Sequence, residues 1–329
     1  MHWCDSMMDG MNIRPFALPE GGNSAFAGVH KGMDVILHVG AHLTGVSSLT
    51  YYLERNRRKL RDHGLALWTV SDTRKGLFDG LTLRSGLHGV ERRRTRGAGR
   101  VRLRCAALEK ARVKDLLVCD PSILGGISDN VASERLYPAA GERGARMAHA
   151  FEGRVKRVFV NIRALEDYWA AALAHAVTNG FPLPLQSELD RLVTQPRSWR
   201  RVVTDLAAAL PNAEILVAPF ERVGDRPDDV VEFAVAGRFG APANLRVGMG
   251  PQIPHLNALR EVLVDRYEDE EDLPDGNGRW QPFNAVQIET LREIYAADLM
   301  WLRSGADGLA YLIEEKDPVL AGKRPLVGT

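Results

Sequence analysis

Cysteine is scarce in this chain of 329 residues: Cys4, Cys105 and Cys119 are its whole complement. An odd, widely spaced trio supplies neither a disulfide framework nor a zinc-ligand pattern, and a reducing cytoplasm is the plain expectation. Long apolar runs are missing too. None approaches the roughly 20 residues that a membrane helix needs, so no membrane partner is expected. The first residues carry Asp5, Asp9 and Glu20 with no long apolar stretch after a basic start, unlike a secretory leader. We read residues 1–32 as a loosely ordered extension, 33–312 as a single domain and 313–329 as a tail. An excess of one charge is also absent. Lys and Arg number 43 against 42 Asp and Glu, a net charge of +1, which disfavours a globally basic nucleic-acid binder. No repeat of fixed period is present. What the chain has is 45% apolar and 26% charged residues, enough to exclude wholesale disorder and to fill a large core.

Short apolar runs alternate with helical patterns. Val35 to Val39 reads V-I-L-H-V and ends at Gly40, as a strand buried in a parallel sheet does. Ser47 and Ser48 suit a helix start. Leu49, Tyr52, Leu53 and Leu60 follow at helical spacing, Gly64 closes the helix, and Leu65–Val70 reads as a second strand. Later strands are expected at Asp115–Cys119, Arg157–Ile162 and Ile215–Ala218. Helices are expected near Ala106–Val113 and over Glu134–Phe151, Leu165–Val177, Trp199–Leu210 and Gln287–Arg303, with a turn-rich segment from Pro121 to Asn130. The alternation predicts a doubly wound α/β fold, a mainly parallel sheet with helices on both faces.

Two charged stretches interrupt this pattern. Arg84 to Lys114 carries 11 basic residues against Glu91 and Glu109, centred on R-R-R-T-R-G-A-G-R from Arg92 to Arg100. It reads as a solvated loop, or as a flap that attracts anions to a neighbouring site. It contains no aromatic residue, which single-stranded nucleic acid would need for stacking. Asp265 to Asp275 holds seven acidic residues and reads as an exposed loop.

The most informative segment is Gly40-Ala-His-Leu-Thr-Gly45-Val46-Ser47-Ser48. It fits the phosphate-loop pattern G-x-x-x-x-G-K-[ST] except that Val46 stands at the lysine. Glycines let the backbone curl so that successive N–H groups point inward, and the following helix adds its positive dipole end. Thr44, Ser47 and Ser48 offer hydroxyls. Without the lysine, an ordinary nucleoside triphosphatase is disfavoured. A glycine turn that merely joins strand to helix is the plain alternative.

Ile36 to Leu49, I-L-H-V-G-A-H-L-T-G-V-S-S-L, resembles the 5′-phosphosulfate loop of the bacterial sulfotransferase family, usually close to L-H-I-G-x-x-K-T-G-T-T-S-L. V-F-V-N-I-R, Val158 to Arg163, is similar to that family's strand ending in an arginine. Ile215 to Val223 and the helix carrying Tyr295, Asp298 and Leu302 extend the likeness over about residues 34–304. The resemblance implies a P-loop-like, sulfotransferase-like fold and a metal-independent transfer of sulfuryl from 3′-phosphoadenosine-5′-phosphosulfate (PAPS) to a hydroxyl or amine on a small molecule or glycan, with no nucleic-acid partner. It implies donor contacts from Gly40, Thr44, Gly45, Ser47 and Ser48, and from Arg163 to the 3′-phosphate.

Three positions depart from that family. Its loop lysine is Leu43 here, the first threonine after the glycine is Val46, and the serine that partners the arginine falls at Ala171. Losing a charged donor at such a site costs about 10²–10³ in rate, so a substitute cation is needed. His42 and the arginines of the 92–104 segment are the candidates. Asp120, after a strand's C-terminal end, is the candidate base, or else a turn residue before Pro121. His38 and Cys119 read as buried structural residues, and Trp169, Trp199, Trp280 and Trp301 as core or pocket walls. Three readings stay open: a sulfotransferase-like enzyme, a catalytically inactive binding or scaffold protein of that fold, and another phosphate-loop nucleotide-binding protein.

Overall fold

A computed structural model describes residues 32–83, 89–224, 226–235, 253–269 and 272–314. The extension at 1–31, Arg84 to His88, the pair Glu270–Glu271 and residues 315–329 lie outside the described residues. Among the described residues, six strands form one sheet: β1 (Asp34–Gly40), β2 (Leu65–Trp68), β3 (Asp115–Cys119), β4 (Val155–Ile162), β5 (Glu214–Pro219) and β6 (Tyr311–Leu312). Their order is β2-β3-β1-β4-β5-β6, and every pairing is parallel. Ile313 N–H bonds Val217 O at 2.8 Å and its side chain is buried.

The sheet is covered on both faces, so its strands are apolar on both sides. Val35, Leu37 and Val39 of β1 point into one core with Val118, Val160 and Trp199. Ile36 points into the other with Leu49, Leu53, Leu117 and Phe159. The helix Val46–Asp62 therefore packs on the second face. The helices Ala140–Ala150, Leu165–Thr178, Trp199–Ala209 and Ala285–Arg303 bury residues in the first core.

The basic 92–104 stretch is not a loop. It belongs to a 21-residue helix, Val90–Lys110. Val90, Gly97, Ala98, Val101 and Cys105 form its buried stripe, while Arg92, Arg93, Arg96 and Arg104 stay exposed. The expected helix at Glu134–Phe151 begins only at Ala140. Tyr137, held at φ 44°, and Pro138 break what would have been its first turn. The turn-rich segment after β3 contains a 3₁₀ turn, Pro121–Ile123, and a short helix, Ile127–Ser133. The described part of the acidic stretch follows the helix Leu256–Asp265 as an exposed connection. Among the described residues, no helix is long and apolar enough to cross a membrane.

β1 and β3 are neighbours, and the chain leaves them toward opposite faces of the sheet. That divergence opens a crevice at their C-terminal ends, where ligands of open α/β sheets gather. The glycine loop and Asp120 both lie there.

Candidate functional site

The loop is built by three left-handed residues: Gly40 (φ 82°), Leu43 (φ 62°) and Gly45 (φ 76°). A register shift between β1 and β4 at His38/Gly40 turns the chain out of the sheet. Crowding demands glycine at both ends of the loop. A Cβ on Gly40 would meet Pro121 Cβ at 2.9 Å, and one on Gly45 would meet the Gly224 carbonyl oxygen at 2.8 Å. Leu43 has no such exemption from the left-handed penalty, so its conformation is held by its neighbours.

The first two N–H groups of the loop are spent internally. Ala41 donates to Asn161 O at 2.7 Å and His42 to Tyr137 Oη at 2.9 Å. Among the described residues, the N–H groups of Leu43, Thr44, Gly45, Val46 and Ser47 have no acceptor. Five consecutive donors thus open the 17-residue helix Val46–Asp62 at its positive end. The Thr44 hydroxyl donates to Ala41 O at 2.7 Å and is buried; it braces the loop. Ser47 is exposed at the helix start, and Ser48 is buried.

Arg163 comes to the loop from the end of β4, as its place in the sequence suggested, but in a buried setting. It is 2% exposed, donates through Nη1 to Leu43 O at 3.0 Å and lies over the Phe220 ring at 5.2 Å. Its Nε is buried without a partner. The guanidinium therefore holds Leu43 in place and puts a positive charge directly behind the loop. Phe220, in turn, packs against Gly45 and Gly224.

His42 is held in its neutral form here. Burial, with the positive charges of Arg74, His175 and Arg143, pushes its pKa down to about 3, so the imidazole is neutral near pH 7. Its ring stacks on Tyr137 at 5.9 Å, and Nδ1 shares a hydrogen bond with Tyr137 Oη at 2.9 Å. Asp120 stands at the end of β3 and is fully buried. Its Oδ1 accepts from Ser122 N at 2.9 Å and its Oδ2 from Thr73 Oγ1 at 2.6 Å. Both oxygens thus tie together the turn after β3 and the segment after β2.

That tie exposes a residue the sequence pattern did not single out. Thr73 opens a π-helical turn, Thr73–Leu77, kinked at Lys75 and Gly76. The next residue, Arg74, is exposed and has no partner among the described residues, and its charge acts on His42. Arg74 is thus an unpaired cation whose field reaches the loop at His42. No linear signal marks it, because β2 lies two strands away from β1 and it is the fold that ties this segment to the end of β3, in part through the Thr73–Asp120 bond.

His38, one turn of the pleat before the loop, is buried. Its Nε2 bonds Asn161 Oδ1 at 2.8 Å and its Nδ1 lies 3.4 Å from Cys119 Sγ. Burial lowers its pKa to about 4 against the partial support of Asn161, and burial pushes the Cys119 thiol up to about 12. An unfolded histidine titrates near 6.5, so the unfolded chain binds the proton first on acidification. This contribution to stability is fully present above about pH 6.5 and is lost as pH falls toward 4, a total of about 3 kcal/mol. Urea unfolding from about pH 6 to about pH 4.5 should lose about 1.4 kcal/mol per pH unit less in His38→Gln than in the parent. Equal slopes would rule out His38 as an acid-labile point.

No protein-family model, curated protein or solved structure matches this chain.

Proposed function

We propose that the chain is a sulfotransferase-like protein that binds the phosphosulfate end of PAPS on the glycine loop. The observation that carries this reading is the run of five acceptor-free N–H groups from Leu43 to Ser47, at the start of a helix and in the crevice between β1 and β3. An oxyanion fits such a cradle through charge-assisted bonds to backbone donors. Gly40 and Gly45 shape the cradle, Thr44 stiffens it, and Ser47 and Ser48 stand at the helix start. Arg163 acts on the donor through the loop carbonyl it holds and through its field, rather than by open contact. Arg74, the unpaired cation whose charge acts on His42, is our candidate to offset charge on the leaving phosphate, the task the family's lysine performs. The acceptor, a hydroxyl or amine on a small molecule or glycan, would approach from the open side of the crevice. The two buried thiols, Cys105 and Cys119, suit a reducing, cytoplasmic setting.

One observation favours the binding or scaffold reading. Asp120 is sealed from solvent with both oxygens engaged, so it is not free to take a proton in this conformation, and one ring nitrogen of neutral His42 is held by Tyr137. The two readings share the donor site and part at turnover.

Calorimetric titration with adenosine 3′,5′-bisphosphate, the desulfated donor product, tests the shared part. Binding should weaken about tenfold or more in Arg163→Ala, with Arg163→Lys in between because a lysine keeps the charge but not the fork. Arg74→Ala should spare that affinity by comparison and lower sulfuryl transfer by about 10²–10³. No binding by the parent would end the donor-site reading. Binding with no turnover across an acceptor screen would select the scaffold.

A further inference from the structure

We propose that a cavity lined by Arg135, Arg197 and Arg201 is a second anion site, built for a compact dianion, and that Tyr137 couples it to the glycine loop. The cavity measures about 380 Å³, and Pro138 and Pro196 complete its lining. That volume is at the lower end for small-ligand sites, roughly 300–1,000 Å³.

Charge carries the assignment. Arg197 is held in advance: it donates to Leu136 O, to Tyr137 O at 2.7 Å and to Asp205 Oδ2 at 2.6 Å. Arg135 and Arg201 are exposed, and neither has a side-chain partner among the described residues. Three guanidinium groups therefore face one carboxylate, Asp205, which leaves two positive charges uncompensated in one concavity. A neighbouring cavity of about 290 Å³ shows the contrast. It shares Pro138 and is lined by Arg143 and Arg146, but also by Asp129 and Glu142. There Arg143 pairs with Asp129 at 3.3 Å and Arg146 with Glu142, so the charges cancel. Only the first cavity asks for an external counter-charge. Guanidinium forks recognise phosphate and carboxylate oxygens bidentately. Proline walls add no N–H donors and little freedom, so the guanidinium groups set the selectivity. The ligand class is a small dianion, a phosphate monoester head or a dicarboxylate.

The coupling runs through one residue. Tyr137 is fully buried at φ 44°, a conformation that a bulky side chain keeps only when its surroundings impose it. Arg197 grips its carbonyl from the cavity side. On the other side its hydroxyl accepts the His42 N–H and meets the His42 ring. A dianion bound beside Arg197 adds to the hold this already anchored guanidinium has on Tyr137 and on His42 beyond it.

Calorimetry at constant ionic strength, with inorganic phosphate and separately with succinate, tests the site and separates the two sources of charge. At least one probe should bind the parent and bind about tenfold or more weakly to Arg135→Ala/Arg201→Ala. Arg135→Lys/Arg201→Lys should fall between, which also excludes misfolding as the cause. Affinity unchanged in the double alanine variant, or no binding of either probe to the parent, overturns the site. The coupling is read independently of any donor nucleotide, by hydrogen exchange at the His42 amide. The bound dianion should slow that exchange several-fold in the parent and not in the double variant. Equal exchange with and without the probe overturns the coupling.

Discussion

Replacing Trp199 with alanine is expected to cost about 3–5 kcal/mol of stability, the range for emptying a fully packed aromatic site. Trp199 is fully buried, and its ring meets Tyr168 edge-on at 5.4 Å and Tyr137 at 6.1 Å. Both polar ends of the residue are also engaged. Its indole Nε1 donates to Arg163 O at 2.7 Å, and its backbone N–H donates to Asp298 Oδ2 at 2.8 Å. Alanine opens a cavity and strands the Arg163 carbonyl at the end of β4, beside the loop that Arg163 braces. Trp199→Phe keeps most of the packing and loses only the indole bond, so about 1–2 kcal/mol is expected. Urea midpoints of the two variants decide the matter. An alanine variant that lost less than about 1 kcal/mol would show that this aromatic cluster collapses freely, contrary to close packing. The same variant should weaken nucleotide binding more than Trp199→Phe does, because the hub stands between the core and the loop.

The elements legible in the sequence are those whose pattern is local. β3 falls on Asp115–Cys119, where five consecutive apolar or strand-starting residues are bounded by Lys114 and Asp120. The helices Leu165–Thr178 and Trp199–Ala209 fall within one residue of their expected ends, since each has bulky residues at helical spacing. Only the end of the helix Val90–Lys110 was legible, because its buried stripe is made largely of small residues, Gly97, Ala98 and Cys105. Small side chains carry a weak hydrophobic signal, yet they let the helix approach closely: a Cβ on Gly97 would meet Asp79 O at 2.6 Å. β6 has two residues and gains its place only by lying beside β5. The site divides in the same way. Gly40, Gly45 and the helix start share one short segment and are visible together. Tyr137 and Phe220 reach the loop from 95 and 175 positions away along the chain, through contacts that no local spacing encodes. The charge state of His42 was likewise illegible, because it depends on burial and on Arg74, His175 and Arg143.

Gly45→Ala should be the most damaging single change to binding. Two independent effects act in the same direction. The residue sits at φ 76°, where a Cβ costs about 1–2 kcal/mol. The new methyl would also stand 2.8 Å from the Gly224 carbonyl oxygen and 3.3 Å from the Phe220 ring. The carbonyl is backbone and cannot rotate away, and Gly224 has no room to shift, since a Cβ built there would already overlap Phe220. The helix start must therefore move. Overpacking and strain together imply a stability loss of about 2–4 kcal/mol. The N–H groups from Leu43 to Ser47 are useful only while aligned on a single anion, and a displacement of about 1 Å costs on the order of 10² in a pre-organised site. Adenosine 3′,5′-bisphosphate affinity should fall by about that factor, further than in Arg163→Ala, because Arg163 acts through one loop carbonyl whereas Gly45 sets the direction of the whole cradle. A Gly45→Ala protein that unfolded like the parent and bound the nucleotide equally well would mean that the loop is a connecting turn and that the anion, if bound, sits elsewhere. A protein with parental stability and lost binding would separate alignment from folding and identify the loop itself as the binding element.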